Sequence, residues 1–272
     1  MLDARSDMPR LQRMQGRATV RLARGRLIDL AQQGAAKAML PRIHTPGVQP
    51  VPEVVFLNTA GGVTGGDHLE TTLGIEDGHL VGTTQTAERA YRARDGVANV
   101  SVHLQAGAGA TLAWLPQETI LYDGAALHRQ TTAELSAGAE LILADSFVLG
   151  RIAMGEQVRR LTLRDRRDIL VDGRPVVIDP LMLHSADLTR PGAAGLGEAR
   201  ALATVHLIAP TAGDRLDRLR AILPSDGSAA ASAWDGRLSM RVMHRDPAVL
   251  RATLARALIG LTGRPLPRVW PQ

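Results

Sequence analysis

Apolar and polar residues alternate in short runs along the first two-thirds of the chain, and that rhythm limits the possible folds more than any other feature. Ala18, Val20 and Leu22 alternate with Arg17, Thr19 and Arg21. Val100, Val102 and Leu104 alternate with Asn99, Ser101 and His103, and Leu161 and Leu163 with Arg160, Thr162 and Arg164. A period of two sends successive side chains to opposite faces of a strand, so each run predicts a sheet with one buried face. Asp-Gly dipeptides at 77–78, 95–96, 123–124, 172–173 and 235–236 predict turns with positive φ, as hairpins require. Leu104-Gln-Ala-Gly recurs as Leu135-Ser-Ala-Gly, each time closing one strand and opening another (111–115 and 140–144). Equivalent turns at a steady interval point to stacked strand layers, as in a solenoid or β-helix, although a β-sandwich gives a similar pattern.

Helical signals come late. Residues 214–223 carry Leu216, Leu219 and Leu223 on one face. Asp246-Pro247 is an N-cap followed by proline at the first helical position, and Leu250, Leu254, Ala257, Leu258 and Leu261 follow as an apolar stripe ending at Gly263 and Pro265. The small-residue segments 189–200 and 224–233 read as loops. The expectation is a mainly β fold with two helices near the C-terminus, and no domain boundary divides residues 1–272.

Composition narrows the function. Aromatics make up 3% of the 272 residues, so the core is built from Leu, Val, Ile and Ala. Net charge is +5 and almost entirely arginine, with Lys37 the single lysine. Arginine pairs bidentately with carboxylates and stays charged when partly buried, which suits a protein-binding surface. The 27 acidic residues are interspersed and no basic cluster is interleaved with aromatics, which disfavours nucleic acid. With no cysteine, disulfides and thiolate metal sites are excluded, and any metal would need His, Asp, Glu or backbone oxygen. Residues 1–16 are charged and lack the apolar core of a signal peptide, and no run approaches a membrane span. The expectation is a cytoplasmic protein without a membrane role.

Residues 57–67 hold Gly61, Gly62, Gly65 and Gly66 between Asn58 and Asp67. Paired glycines imply positive φ or close backbone approach. The segment lacks the Gly-Lys-Ser/Thr of a phosphate loop, the spacing of a dinucleotide fingerprint and the Gly-x-Ser-x-Gly of a nucleophile elbow. A glycine-rich turn without chemistry is the competing reading. Asp67, Glu118, Asp145 and Glu156 are the carboxylates with possible chemistry, against structural ion pairs with Arg89, Arg92 and Arg151. The eight histidines form no His-x-His or His-Glu-x-x-His, and His68 and Asp67, adjacent on a strand, point to opposite faces.

Five segments, taken in order, carry a resemblance: Asn58-Thr-Ala-Gly-Gly-Val-Thr-Gly-Gly-Asp67, Thr83-Thr-Gln-Thr-Ala-Glu-Arg-Ala-Tyr-Arg92, Leu115-Pro-Gln-Glu-Thr-Ile-Leu-Tyr122, Asp145-Ser-Phe-Val-Leu-Gly-Arg-Ile-Ala-Met-Gly-Glu156 and Leu266-Pro-Arg-Val-Trp270. Together they resemble the urease accessory protein UreD (UreH) family. The pattern departs from many relatives at Glu88-Arg89 and at Asp123-Gly124, which alters local charge. The resemblance implies a β-helix-like stack of two sheet layers with two α-helices. It implies a non-catalytic scaffold that binds the urease apoprotein (UreABC) and recruits UreF and the GTPase UreG, with UreE an indirect nickel donor. No cofactor is permanently bound on this reading, and nickel passes in transit.

Weak, dispersed oxygen ligands suit transit, because a closed cage would trap the ion. On that reading Asp67 and Glu156, with Glu118 and Asp145, line a polar nickel path. Gly61, Gly62, Gly65 and Gly66 shape its wall, and Arg89, Tyr91 and Arg151 order the carboxylates. Two other readings are a β-solenoid enzyme acting on glycosides with paired carboxylates and a metal-independent β-rich binding module. The first predicts an aromatic-rich cleft, yet the chain has three Trp and two Tyr.

Overall fold

The computed structural model describes residues 12–41, 51–190 and 195–270. Its strands begin with β1 (Gln15–Ala23), β2 (Arg26–Gly34), β3 (Ala36–Met39), β4 (Glu53–Asn58), β5 (His68–Ile75) and β6 (His79–Thr84). Then come β7 (Glu88–Ala90), β8 (Ala98–Ala106), β9 (Thr111–Trp114), β10 (Thr119–Leu121), β11 (Ala125–Leu135) and β12 (Glu140–Leu149). The remainder are β13 (Leu161–Val171), β14 (Arg174–His184), β15 (Ala201–Ile208), α1 (Leu216–Ile222), β16 (Ala229–Trp234), β17 (Arg237–His244) and α2 (Pro247–Thr262). Seven strands form one sheet in the order β14-β13-β11-β8-β5-β1-β2. The second sheet runs β16-β17-β15-β12-β9-β6-β4-β3, with β10 and β7 continuing beside β12.

Between β4 and β13 the chain crosses repeatedly from one sheet to the other, and like strands stack in parallel. This is a β-solenoid. Val20, Leu73, Leu104, Ala133 and Ile169 stand side by side in register on the inner face, each fully buried. Leu80, Leu112 and Leu141 form the matching row on the facing sheet. The period-two runs therefore do what they predict: every second residue enters a shared interior.

The echoed tetrapeptides lie at stacked corners, but their leucines are not equivalent. Ala106 pairs with Leu135, so the matching positions are Gly109 and Gly138, with φ of 70° and 75°. The Asp-Gly signals divide for a related reason. Asp172-Gly173 and Asp235-Gly236 close antiparallel hairpins, with both residues at positive φ. The other three turn corners between sheets, because a left-handed turn does not dictate that its flanking strands pair with each other. Arg24-Gly25 makes a third hairpin of the same kind without the aspartate.

Both expected helices form. The Asp246 carboxylate accepts from the Ala248 N–H at 2.8 Å, Pro247 opens α2, and Gly263 ends it at φ 63°. The stripe from Leu250 to Leu261 packs against the outer face of the second sheet, so β15 is buried on both sides. The loop expected at 224–233 is corrected in part, since Ala229–Trp234 is a strand. Its small residues have little strand preference, and the Asp235-Gly236 hairpin sets their pairing with β17. Of the loop expected at 189–200, residues 191–194 lie outside the described residues and 195–200 are irregular. No helix among the described residues is long and apolar enough to cross a membrane.

The solenoid interior is apolar at both ends and ionic in the middle. On β11 the inward residues run Leu127, Arg129, Thr131, Ala133; on β13 they run Leu163, Asp165, Arg167, Ile169. The charges lie between two apolar clusters, one containing Leu127 and Leu163 and the other Ala133 and Ile169.

Candidate functional site

The glycine turn between β4 and β5 is a seat for an aromatic ring. A Cβ on Gly62 would lie 2.4 Å from Tyr91 Cε2 and 2.6 Å from the Arg89 carbonyl oxygen, so only glycine fits. A Cβ on Gly65 would meet the Asp95 carbonyl oxygen at 2.0 Å. Gly61 and Gly66 instead supply left-handed backbone, with φ of 75° and 86°. The Gly61 carbonyl accepts from the Tyr91 hydroxyl at 3.1 Å and from Arg89 at 3.3 Å. Asp67 closes the turn: one carboxylate oxygen accepts from the Met14 N–H and the other from the Thr64 N–H, each at 2.8 Å. His68, the first residue of β5, is exposed, while Asp67 just before it is buried.

Asn58 and Glu88 fasten this turn to β7. The Asn58 amide donates to the Gly62 carbonyl and to the Glu88 carboxylate, which also accepts from the Arg89 N–H. Burial raises the Glu88 carboxyl above its ordinary value, against the lowering effect of the Arg89 N–H and Asn58.

From Tyr91 the contacts continue outward. Tyr91 and Tyr122 meet edge to face at 5.0 Å, and the Arg151 guanidinium lies over the Tyr122 ring at 4.6 Å. Glu156 locks the following loop. One of its oxygens accepts from the Arg151 N–H at 3.0 Å and side chain at 2.9 Å, and the other from the Asp123 N–H at 3.2 Å. Burial alone would raise the Glu156 carboxyl, but these donors outweigh it and hold the group below its usual value. Asp123 accepts from the backbone N–H groups of Arg159 and Arg160, which lower its carboxyl, and pairs with Arg92 at 3.0 Å.

Glu118 belongs to a different contact. Arg251 of α2 donates to Glu118 and to Gln117, both at 2.6 Å, and stacks over Trp270 at 4.7 Å. Gln117 donates to the Val269 carbonyl, and the Trp270 indole N–H to the Leu115 carbonyl. The third and fifth resembling segments are thus two halves of one clasp.

Asp145 sits in the ionic layer. Arg129 reaches it at 3.0 Å and Asp165 at 2.7 Å; Arg167 reaches Asp165 and, at 2.9 Å, Asp179. Asp179 also meets His206 at 3.1 Å and Arg241, and His206 meets Ser239 at 2.8 Å. Burial lifts the Asp145 carboxyl above the usual range despite Arg129 and Arg167. At Asp165 burial acts the same way, but the two guanidiniums prevail and the carboxyl falls. Asp145 Oδ2, Arg129 Nη2, Arg167 Nε and Thr131 Oγ1 are buried without a hydrogen bond.

The four carboxylates singled out from sequence therefore have four separate environments. Asp67 and Glu156 are joined indirectly at one end of the solenoid, through Thr64, Arg92 and Asp123. Glu118 is held by the clasp and Asp145 by the ionic layer. Of the residues expected to order them, Arg151 does so, whereas the Arg89 and Tyr91 side chains hold the Gly61 carbonyl. Among the described residues, no three His, Asp or Glu side chains group closely enough to hold a metal ion. Sequence reasoning missed Asp165, Arg167, Asp179, His206 and Arg251. A signal for the first two was present, since Leu161, Leu163, Asp165, Arg167 and Ile169 keep one alternation through two charges.

These features define a class: a two-sheet β-solenoid backed by helices, with four separated sequence segments converging on one rigid end. The match to the family described as UreD urease accessory protein spans residues 14–271. The chain is 49% identical over 270 residues to the urease accessory protein UreD of Jannaschia sp. (strain CCS1), covering 99% of each chain. It is 52% identical over 267 residues to that of Cereibacter sphaeroides (strain ATCC 17025 / ATH 2.4.3), covering 96% of each. It is 50% identical over 264 residues to that of Paracoccus denitrificans (strain Pd 1222), covering 96% of this chain and 93% of the relative. The chain belongs to the UreD family of urease accessory proteins.

Proposed function

We propose that this chain is a cytoplasmic urease maturation factor, acting as a single UreD-like domain and catalysing no reaction of its own. It binds the urease apoprotein and recruits UreF and the GTPase UreG for GTP-dependent insertion of nickel, which UreE supplies indirectly. The observation that carries this reading is the family match across residues 14–271, which takes in the whole solenoid, the helices and the clasp. The test is co-expression of the urease apoprotein, UreF and UreG with and without this chain. Recovery of one complex, and nickel-loaded urease only when the chain is present, is the expected result. Urease that matures equally well without it overturns the reading.

On the same reading, nickel is cargo that passes along a polar route bordered by Asp67, Glu118, Asp145 and Glu156. Asp67 and Glu156 have both oxygens engaged by N–H donors, and Glu118 is paired with Arg251. Asp145 alone of the four has a buried oxygen free of any hydrogen bond. That oxygen lies 3.5 Å from Arg167 Nε, and it gains capacity to accept a passing ion once Arg129 and Arg167 shift. Where the Asp145→Asn chain still folds and joins the complex, it is expected to lower the nickel content of urease at least severalfold. Full nickel loading with Asp145→Asn removes Asp145 from the route.

A further inference from the structure

The end of the solenoid at which four of the resembling segments meet carries an apolar tip that the fold does not cover. Between β12 and β13 the short helical turn Ile152–Met154 projects into solvent. Met154 is 74% exposed, Ile152 43% and neighbouring Tyr91 38%. Exposing one such side chain is ordinary; holding several together on a fixed support is not.

The support is fixed at every step. The glycine turn seats Tyr91, Tyr91 meets Tyr122, Tyr122 carries the Arg151 guanidinium, and Glu156 ties the base of the turn to Asp123. None of these contacts buries Ile152 or Met154. They order a loop whose tip stays bare, which lowers the entropy lost when something closes over it.

The charge around the tip selects what that is. Exposed Arg92, Arg94, Arg159 and Arg160 gather around the Asp123-Gly124 corner. The acids there are already engaged: Asp123 with Arg92 and two backbone N–H groups, Glu156 with Arg151, and Asp95 with Arg13. A centre of Met, Ile and Tyr with a rim of arginine has the composition of a protein-binding site.

We propose that this end of the solenoid is the docking surface for an acidic protein face containing an apolar cleft, with Met154 and Ile152 entering the cleft and the arginine rim meeting its carboxylates. This deepens the scaffold reading and rests on it, with the partner expected among the urease apoprotein, UreF and UreG.

The test measures binding of the purified chain to each co-expressed partner at two salt concentrations. Met154→Asp places a charge on a side chain already in water, so the thermal midpoint should stay unchanged while affinity for one partner falls at least tenfold. Arg94→Glu should weaken the same partner, and raising the salt should reduce the difference between this variant and wild type. Leu27→Asp, on exposed β2 beside Leu22 at the opposite end of the strands, is the control and should bind as wild type. If wild-type complexes form and Met154→Asp binds equally well, the surface is wrongly assigned while the scaffold reading stands. If the wild-type chain binds none of the three, both fall. A dimer of the isolated chain that Met154→Asp breaks would give the surface to a second copy and overturn the acidic-partner proposal.

Discussion

Gly62 and Gly61 are adjacent and chemically identical, yet the structure gives them different tasks and different costs of replacement. Gly62→Ala forces a methyl group into Tyr91 and the backbone of Arg89, and is expected to lower stability by about 2–3 kcal/mol in urea unfolding. Gly61→Ala meets open space and loses only the ease of left-handed backbone, for about 1 kcal/mol. Equal effects from the two would refute the seat described for Tyr91. Asp123 gives a prediction in pH. Its folded carboxyl is depressed below the ordinary 3.8, chiefly by the N–H groups of Arg159 and Arg160. Its stabilisation is therefore fully present above pH 3.8 and lost as pH falls through the lower folded value. Asp123→Ala should cost about 1 kcal/mol at pH 7, with the gap in thermal midpoint closing on acidification.

At the scale of elements, local chemistry was legible and partnership was not. The cap at Asp246, the apolar stripe of α2 and the inward alternation of β1, β8 and β13 follow from residues a few positions apart, so the sequence displays them directly. The Asp-Gly turns were legible as turns, but which became hairpins depended on where the next strand found its neighbour. The clasp was hidden altogether, because Gln117 and Val269 are far apart in sequence and meet only after the solenoid has formed. Asp67 shows the same limit: its carboxylate was plain in the sequence, whereas its use on two backbone N–H groups was not. Arg251→Met tests the clasp. It removes two charge-assisted hydrogen bonds and the stacking on Trp270, and should cost about 2–3 kcal/mol. The segment 263–270 should then become the first site of limited proteolysis.

Across the whole molecule, the ionic layer ties the two sheets together through Asp145 and His206 on one and Arg129, Arg167 and Asp179 on the other. Removing a single partner leaves buried charge without compensation. Arg167→Met is expected to lower stability by about 3–5 kcal/mol, and adding Asp165→Asn should restore part of that loss. Additive losses in the two variants would mean the groups do not act as one network.

Because each coil rests residue upon residue on the one before, the number of coils sets how far the first strand of the stack stands from the last, and leaves the distance from the bare tip to the Gly109 and Gly138 corners at the opposite rim unchanged. Duplicating one coil between β8 and β11 would lengthen the body by a single strand spacing, about 4.8 Å, without disturbing the rows of leucine on either side. The molecule is in this sense a ruler with fixed graduations. Whatever assembles along it is set apart in whole steps, and an added graduation should move one bound protein relative to another while leaving each attachment intact.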